Sequence, residues 1–341
     1  MTAAEPRWIG EADVVALMSL RDAIEALESG LAEEAAGTAR NLEKTAAHWG
    51  ERSNMHAIGA VYERAGVFGT KTWGNTPAGS TPLLILWDAE TARLRAVIEA
   101  SALGQMRTGA MSGVATRWMS AAAADDLAVI GSGKQALMQV AAVTLVRPLR
   151  RIRVFSPTRE KREAFAARLA ETFPAIEVTT APDVAAAVAD SAVVTLITRA
   201  RAPFLEASMV AYGVHVNAAG AITEERREFA RGLFPRAGLV AVDTIPAARR
   251  LSAELIDWYD HACGGDWSAA RRICDIVAAA QPRPAGIDLS LFKPMGMGIA
   301  DLALGIEILR RADAAGAGRP IPHPQRVVPR IAAAVEEETP R

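Results

Sequence analysis

The segment Leu127-Ala-Val-Ile-Gly131-Ser132-Gly133-Lys134-Gln135-Ala136 constrains the fold more than any other stretch of this 341-residue chain. A short apolar run ends in a glycine-rich turn and passes directly into an apolar helical stretch that reaches Val146. Glycine at 131 permits a tight turn after a strand. Glycine at 133 lets the backbone approach a pyrophosphate, and Ala136 lets the helix lie close to a sheet. The amide-bearing start of that helix would face the phosphates. Such a spacing is weak by itself. Here, short apolar runs follow at 152–155, 177–179, 193–197, 215–217 and 239–242, separated by helical stretches such as 159–172. Strands alternating with helices form βαβ units and a parallel sheet, and this is the context the motif requires. The expected class is α/β, with a Rossmann-type doubly wound parallel sheet that binds a dinucleotide. The alternative is a tight strand–helix turn with no ligand.

The end of the second strand bears on the choice of cofactor. It reads Val154-Phe-Ser156-Pro-Thr158-Arg159-Glu-Lys-Arg162. NAD binders usually place an acid there to hold the ribose hydroxyls. This chain offers hydroxyls at Ser156 and Thr158, and a planar cation at Arg159 suited to a 2′-phosphate. NADP(H) is favoured, with NAD(H) left open. The competing reading has these residues decorating the first turn of a surface helix.

The flanking regions follow a different grammar. Ser19-Leu-Arg-Asp22 resembles a capping box, and Ile24, Leu27 and Leu31 then recur at helical spacing. Residues 56–62, 67–73 and 83–87 are short, β-rich and divided by Gly, Pro, Asn and Ser. Residues 88–93 suggest a hairpin turn, with a return through 94–99. These features predict an α+β unit with a largely antiparallel sheet, followed by a small-residue helix at 102–120. Near 295 the pattern changes again, to a helix at 298–314, a Pro-rich stretch and an acidic run at 336–338 expected to be solvated. Lys71 and Arg107 stand out as cations in stretches expected to be buried. A buried cation needs a partner, which a bound carboxylate or an internal acid would supply. Trp73, Asn75 and Trp87 are candidates for a pocket wall, or for core and dimer contacts.

Half of the residues are apolar, 23% are charged and the net charge is −1. That balance argues against a nucleic-acid partner held by bulk charge. Cys263 and Cys274 cannot build a disulfide framework and have no histidine at metal-ligand spacing. The histidines at 48, 56, 215, 261 and 323 form no HxH or HxxxH pair, and His215 reads as a packed residue. No GxSxG points to a hydrolase. No basic-then-apolar leader opens the chain, and no apolar run approaches the ~20 residues of a membrane span. A cytoplasmic protein without nucleic-acid, membrane or metal partners is expected.

Five motifs in order resemble the ornithine cyclodeaminase/mu-crystallin family. They are Gly69-Thr-Lys71, Gln105-Met-Arg107-Thr108-Gly-Ala, Gly131-Ser-Gly-Lys-Gln-Ala136, Val216-Asn217-Ala-Ala219-Gly220-Ala, and Leu291-Phe-Lys293-Pro-Met-Gly296-Met-Gly-Ile-Ala-Asp301. The resemblance runs from about Trp8 to Ala314. It implies a substrate-binding and dimerisation domain at 1–120 with 295–341, an NAD(P)-binding Rossmann domain at 121–294, and a homodimer. The implied chemistry is hydride transfer at a carbon bearing nitrogen, on a small imino or amino acid. It further implies that Arg40, Lys71 and Arg107 bind the substrate carboxylate. Desolvation beside Arg107 would also make Lys71 a candidate proton donor; the alternative is that it only clamps, with water or an already protonated substrate supplying the proton. Thr81, Arg107, Thr108, Gly131, Ser132, Gly133, Lys134, Gln135, Ser156, Thr158, Arg159 and Lys293 are the implied cofactor contacts. Thr198, Asn217, Ala219 and Gly220 complete that set around the nicotinamide.

One departure is informative. Where ornithine cyclodeaminases carry an aspartate that acts on the substrate nitrogen, this chain has Ile222. An isoleucine cannot bind an ammonium or move a proton. Imino-acid reduction or amino-acid dehydrogenation is therefore the leading expectation, on a small or hydrophobic substrate. The alternatives are a cyclodeaminase with its acid displaced to Glu224, Glu225 or Glu228, and a non-catalytic NADPH binder.

Overall fold

A computed structural model describes residues 5–329; the acidic run at 336–338 lies outside them. The chain opens with β1 (Arg7–Ile9), α1 (Glu11–Leu17) and α2 (Leu20–Ala35). Ser19 caps α2: its hydroxyl accepts from the Asp22 amide at 3.2 Å, and the Ser19 amide donates to Asp22 at 2.8 Å. Ile24, Leu27 and Leu31 then fall on one buried face. The strands β2 (Ala39–Trp49), β3 (Ser53–Tyr62), β4 (Val67–Thr76), β5 (Gly79–Ser80), β6 (Leu83–Asp88) and β7 (Leu94–Glu99) follow, then α3 (Ser101–Met119).

The second region alternates strand and helix. It comprises β8 (Asp126–Ile130), α4 (Ala136–Val146), β9 (Arg151–Phe155), α5 (Arg159–Thr172), β10 (Glu177–Thr180), α6 (Val184–Val188), β11 (Val193–Leu196) and β12 (Val214–Ala218). Then come β13 (Ala237–Val242), α7 (Ile245–Leu251), α8 (Ala253–Ile256), β14 (Ala270–Arg272), α9 (Ile273–Ala279) and β15 (Leu289–Lys293). The chain returns to the first sheet through α10 (Gly298–Ala315) and β16 (Arg319–Pro320).

Two sheets result. The first has the order β16-β1-β7-β6-β4-β3-β2, with β5 on β4; only the β1–β7 pair in it is parallel. The second is parallel throughout, in the order β10-β9-β8-β11-β12-β15-β13-β14. Its central strands β8, β12 and β15 are buried along their whole length, as expected for a sheet covered on both faces. This is the α/β class with a Rossmann-type sheet, joined to an α+β unit.

Two close approaches position the site. Gly131 has φ +119°, and a Cβ there would stand 2.5 Å from the Ile197 carbonyl oxygen, so only glycine makes this turn. A Cβ on Gly298 would stand 1.9 Å from the Gly59 carbonyl oxygen. The start of α10 therefore lies flush on β3. The Tyr62 hydroxyl donates to the Ile299 carbonyl at 2.9 Å, and Asn41 Oδ1 accepts from the Ile299 amide at 2.9 Å.

The long strand β2 was not among the runs expected from sequence. Only its first residue, Ala39, is buried, so no apolar alternation marks it. It also carries a bulge: Leu42 pairs with Gly59 and Thr45 with Ala57, leaving Glu43 and Lys44 opposite Ile58 alone.

Candidate active site

A cleft of about 410 Å³ lies where the two sheets meet. Its parallel-sheet wall carries Lys134, Gln135, Thr198, Ala219, Gly220 and Ile222, and its other wall carries Arg107, Thr108, Trp73 and Lys44. Five cations line it: Lys44, Arg107, Lys134, Arg199 and Arg226. No carboxylate does so among the described residues.

The glycine loop fits a dinucleotide. The turn delivers α4 with no side-chain cap at its N-terminus, so its first amides and the positive end of its dipole serve an anion. A Cβ at Gly133 would meet open space, which is where a pyrophosphate approaches. The carbonyl oxygen of the Gln135 side chain is buried without a partner. At the tip of β9 the Ser132 hydroxyl donates to the Ser156 hydroxyl at 3.1 Å. Arg162 donates to the Ser156 carbonyl at 3.1 Å and covers the Phe155 ring, while exposed Arg159 pairs with Glu163 at 2.7 Å. Thr158 stands at the N-terminus of α5 with its hydroxyl free of a capping bond.

The part of this same wall around Thr198 and Gly220 is fixed by Glu228, which is fully buried. Its carboxylate accepts from the Thr198 amide (2.7 Å), the Thr198 hydroxyl (2.8 Å), the Gly220 amide (2.8 Å) and the Ala221 amide (3.0 Å). Glu228 is thereby committed to holding Thr198 and Gly220 in place. Asp243 does the same for the Pro294–Gly296 turn, accepting from the Met295 and Gly296 amides.

An ion cluster joins Arg107, which lines the cleft, to Lys71 and Asp301, which do not. Lys71 is 4% exposed and bonds Asp301 of α10, which is fully buried. Arg107 Nε lies 3.2 Å from the same Asp301 oxygen, close enough for an ion pair but not aligned as a hydrogen bond. The other Asp301 oxygen has no partner. Burial brings the Lys71 ammonium down to about 8; Asp301 opposes that shift and Arg107 adds to it. The ammonium also sits 5.1 Å over the Trp73 ring. The buried cations thus have an internal acid, the alternative that the sequence left open beside a bound carboxylate. Asp301 closes the Leu291–Asp301 motif, but nothing in its spacing from Lys71, 230 residues away, marks the contact.

Several expected site residues are placed elsewhere. Arg40 is 61% exposed and pairs with Glu63, because strand alternation turns it away from the cleft. Lys44 enters in its stead, carried inward by the β2 bulge. Burial and the nearby Arg107 push the Lys44 ammonium below its ordinary range. Lys293 is fully buried, 3.4 Å from Glu254, and cannot reach a cofactor. Asn217 is also fully buried and donates to the Thr116 hydroxyl at 2.9 Å, tying β12 to α3. Thr81 is exposed beyond β5 and lines no part of the cleft. His215 is packed between Ser290 and Asn217, and burial takes it down to about 3. Of the candidate pocket-wall residues, Trp73 lines the cleft. Asn75 instead donates to Asn54 at 2.8 Å, and Trp87 stacks on Phe68.

A parallel dinucleotide-type sheet facing an antiparallel sheet, with a cationic cleft between them, defines a two-part α/β protein of the nicotinamide-dependent kind. The chain belongs to the ornithine cyclodeaminase/mu-crystallin family, whose sequence profile matches residues 8–315. It is 28% identical over 242 residues to a Delta(1)-pyrroline-2-carboxylate reductase of Bacillus cereus, covering 70% of this chain and 73% of that one. It is 32% identical over 232 residues to the L-lysine cyclodeaminase of Streptomyces rapamycinicus, covering 68% and 65%. Among solved structures it resembles Thermococcus litoralis Delta(1)-pyrroline-2-carboxylate reductase in complex with NADH and L-proline. The TM-score there is 0.84 at 23% identity, over 92% of this chain and all of that one.

Proposed function

We propose that this protein is an NAD(P)H-dependent reductase of 2-imino acids, running in reverse as an amino-acid dehydrogenase. The observation that carries this reading is a cationic cleft between the glycine loop and Arg107, with the buried Lys71 packed against two of its lining residues: over the Trp73 ring, and joined to Arg107 through Asp301. The reduced nicotinamide, when bound, supplies the hydride taken up by the C=N carbon. Thr198, Ala219 and Gly220 would seat it; Ser132, Gly133 and Lys134 would hold the pyrophosphate. Arg107 orients the substrate carboxylate, so that positioning and fixed charge supply much of the barrier reduction. Lys71 protonates the imine nitrogen, which makes the carbon a better hydride acceptor. Asp301 holds the Lys71 ammonium in place.

Three observations weigh against a cyclodeaminase. Ile222 lines the cleft. Glu228 is committed to the wall, and neither Glu224 nor Glu225 lines the cleft. The absence of an acid at the tip of β9, together with Ser156, Thr158 and Arg159, supports NADP(H) over NAD(H). The homodimer belongs to the same reading, with the exposed edge strand β2 and the exposed Trp49 and Met55 of its hairpin as a surface for it. The test is cofactor oxidation by the purified protein, with NADPH and NADH in parallel, against cyclic and acyclic 2-imino acids, with ammonia assayed from ornithine and lysine. Turnover of an imine without ammonia release supports the reading. Ammonia release from a diamine overturns it, and tight NADPH binding with no turnover would leave a binding protein.

A further inference from the structure

Past Lys44 lies a second cavity of about 290 Å³. The two spaces share Lys44, Ile58 and Gly296 and are therefore neighbours across those three residues. The walls of the second are largely apolar: Leu42, Ile58, Pro246, Ala247 and Met297. Its outer end is closed by Arg250 of α7, which donates to Glu43 at 2.7 Å and to the Lys44 carbonyl at 3.0 Å. The cavity thus exists only where β2 meets the parallel-sheet region. Glu43 is occupied by Arg250, whereas Lys44 makes no ion pair among the described residues; it feels the charge of Arg107, and of Asp243 and Asp301, without contacting either acid.

We infer that this second cavity is the side-chain subsite for the substrate, that Lys44 and Arg107 hold the carboxylate at its mouth, and that the side chain it takes is extended and apolar. The inference rests on the imino-acid reading and deepens it. Arg40 is engaged by Glu63 and Lys71 lines neither cavity. Arg107 engages Asp301 only through its Nε and keeps its two Nη atoms beside Gly296, so Lys44 and Arg107 are the two cations left to face the junction. A carboxylate there satisfies both. With the carbon and nitrogen of the C=N group turned toward Thr198 and Gly220, the remaining substituent has the second cavity to enter. An ammonium in that substituent would meet Lys44 and Arg250 with no uncommitted acid, an unpaired buried charge that is costly. An alkyl chain meets Ile58, Met297 and Ala247 and gains from burial.

The experiment is a chain-length series: imines formed from methylamine and 2-oxo acids with side chains from methyl to hexyl, assayed with NADPH. For the native protein, kcat/KM rises about threefold per added methylene until the cavity is full. In Ala247→Trp the ratio of hexyl to methyl kcat/KM falls toward one. Lys44→Met raises KM roughly tenfold to a hundredfold at similar kcat, Lys44→Arg restores most of it, and Arg40→Met serves as the surface control. A flat or falling series, or an Ala247→Trp protein with the native ratio, overturns the subsite. A Lys44→Met protein no worse than Arg40→Met overturns the clamp. Should no imine be reduced, calorimetry of the matching amino acids on the NADP⁺ complex reads the same slope. A slope in binding alone retains the subsite while the reductase reading falls, and no slope overturns both.

Discussion

In the parallel sheet β8, β12 and β15 are buried from end to end, whereas in the antiparallel sheet β2 buries only Ala39. The cofactor half is built from consecutive residues: the turn at Gly131, the uncapped start of α4 and the tip of β9 lie within a few dozen positions. The substrate half is assembled across the chain. Asp301 reaches Lys71 only because Gly298 lets α10 lie flush on β3. Lys44 enters the cleft only because a bulge offsets the register of β2. Local chemistry therefore specifies where an anionic cofactor goes, and long-range packing specifies where the substrate goes. Perturbations of the two halves should be separable.

The largest separation is expected at Lys71. Lys71→Arg keeps a cation but not a donor that titrates near neutrality, so kcat should fall about a hundredfold to ten-thousandfold, with NADPH affinity unchanged by fluorescence titration. Equal loss of cofactor affinity would show that the two halves are not separable. Asp301→Asn comes next. It strands Lys71 and Arg107 without their acid, and breaking a buried pair from one side costs about 3–5 kcal/mol. Chemical denaturation should show that loss, and a variant as stable as the native protein would contradict the cluster.

From the cofactor side, Gly131→Ala forces a Cβ against the Ile197 carbonyl at a backbone angle that alanine rarely adopts. NADPH binding should weaken about tenfold or more, whereas Arg40→Met should leave both cofactor binding and turnover nearly native. Arg159→Ala should narrow the preference for NADPH over NADH by about tenfold. An unchanged ratio would remove Arg159 from the 2′-phosphate site.

The substrate half also carries its own pH dependence. The folded Lys71 ammonium titrates near 8, below its ordinary 10.5. The donor is charged and competent below that point. The kcat/KM for reduction should therefore be level on the acid side and decline as pH rises through about 8. His215 gives a stability counterpart. It stays neutral in the fold down to about 3, so the unfolded chain binds the extra proton first and stability falls as pH drops from 6.5 toward 3. Denaturation midpoints across that window check the direction.

Legibility in the sequence follows the same division. The strand–glycine–helix turn, the parallel alternation and the missing acid after β9 were readable because each depends on neighbours in the chain. The capping box at Ser19 and the small-residue helix α3 were readable for the same reason. β2 was not, because an exposed edge strand of Ala, Glu, Lys and Asn shows no apolar alternation. Arg40 was expected in the site because it stands where the family carries a cation, and only the register of β2 shows that it faces Glu63 instead. Lys293 and Asn217 sit inside family motifs, yet their side chains bind Glu254 and Thr116 within the core. A motif fixes the backbone path more firmly than it fixes the target of each side chain.

Hydride delivery to a carbon–nitrogen double bond beside a carboxylate can be followed atom by atom with NADPH deuterated at C4 of the nicotinamide, in each stereoisomer, incubated with the protein and a cyclic 2-imino acid. One isomer should place a single deuterium on C2 of the amino acid product, with stoichiometric NADP⁺ and no ammonia. Unlabelled product, ammonia released with the cofactor recycled, or no product at all would contradict that delivery.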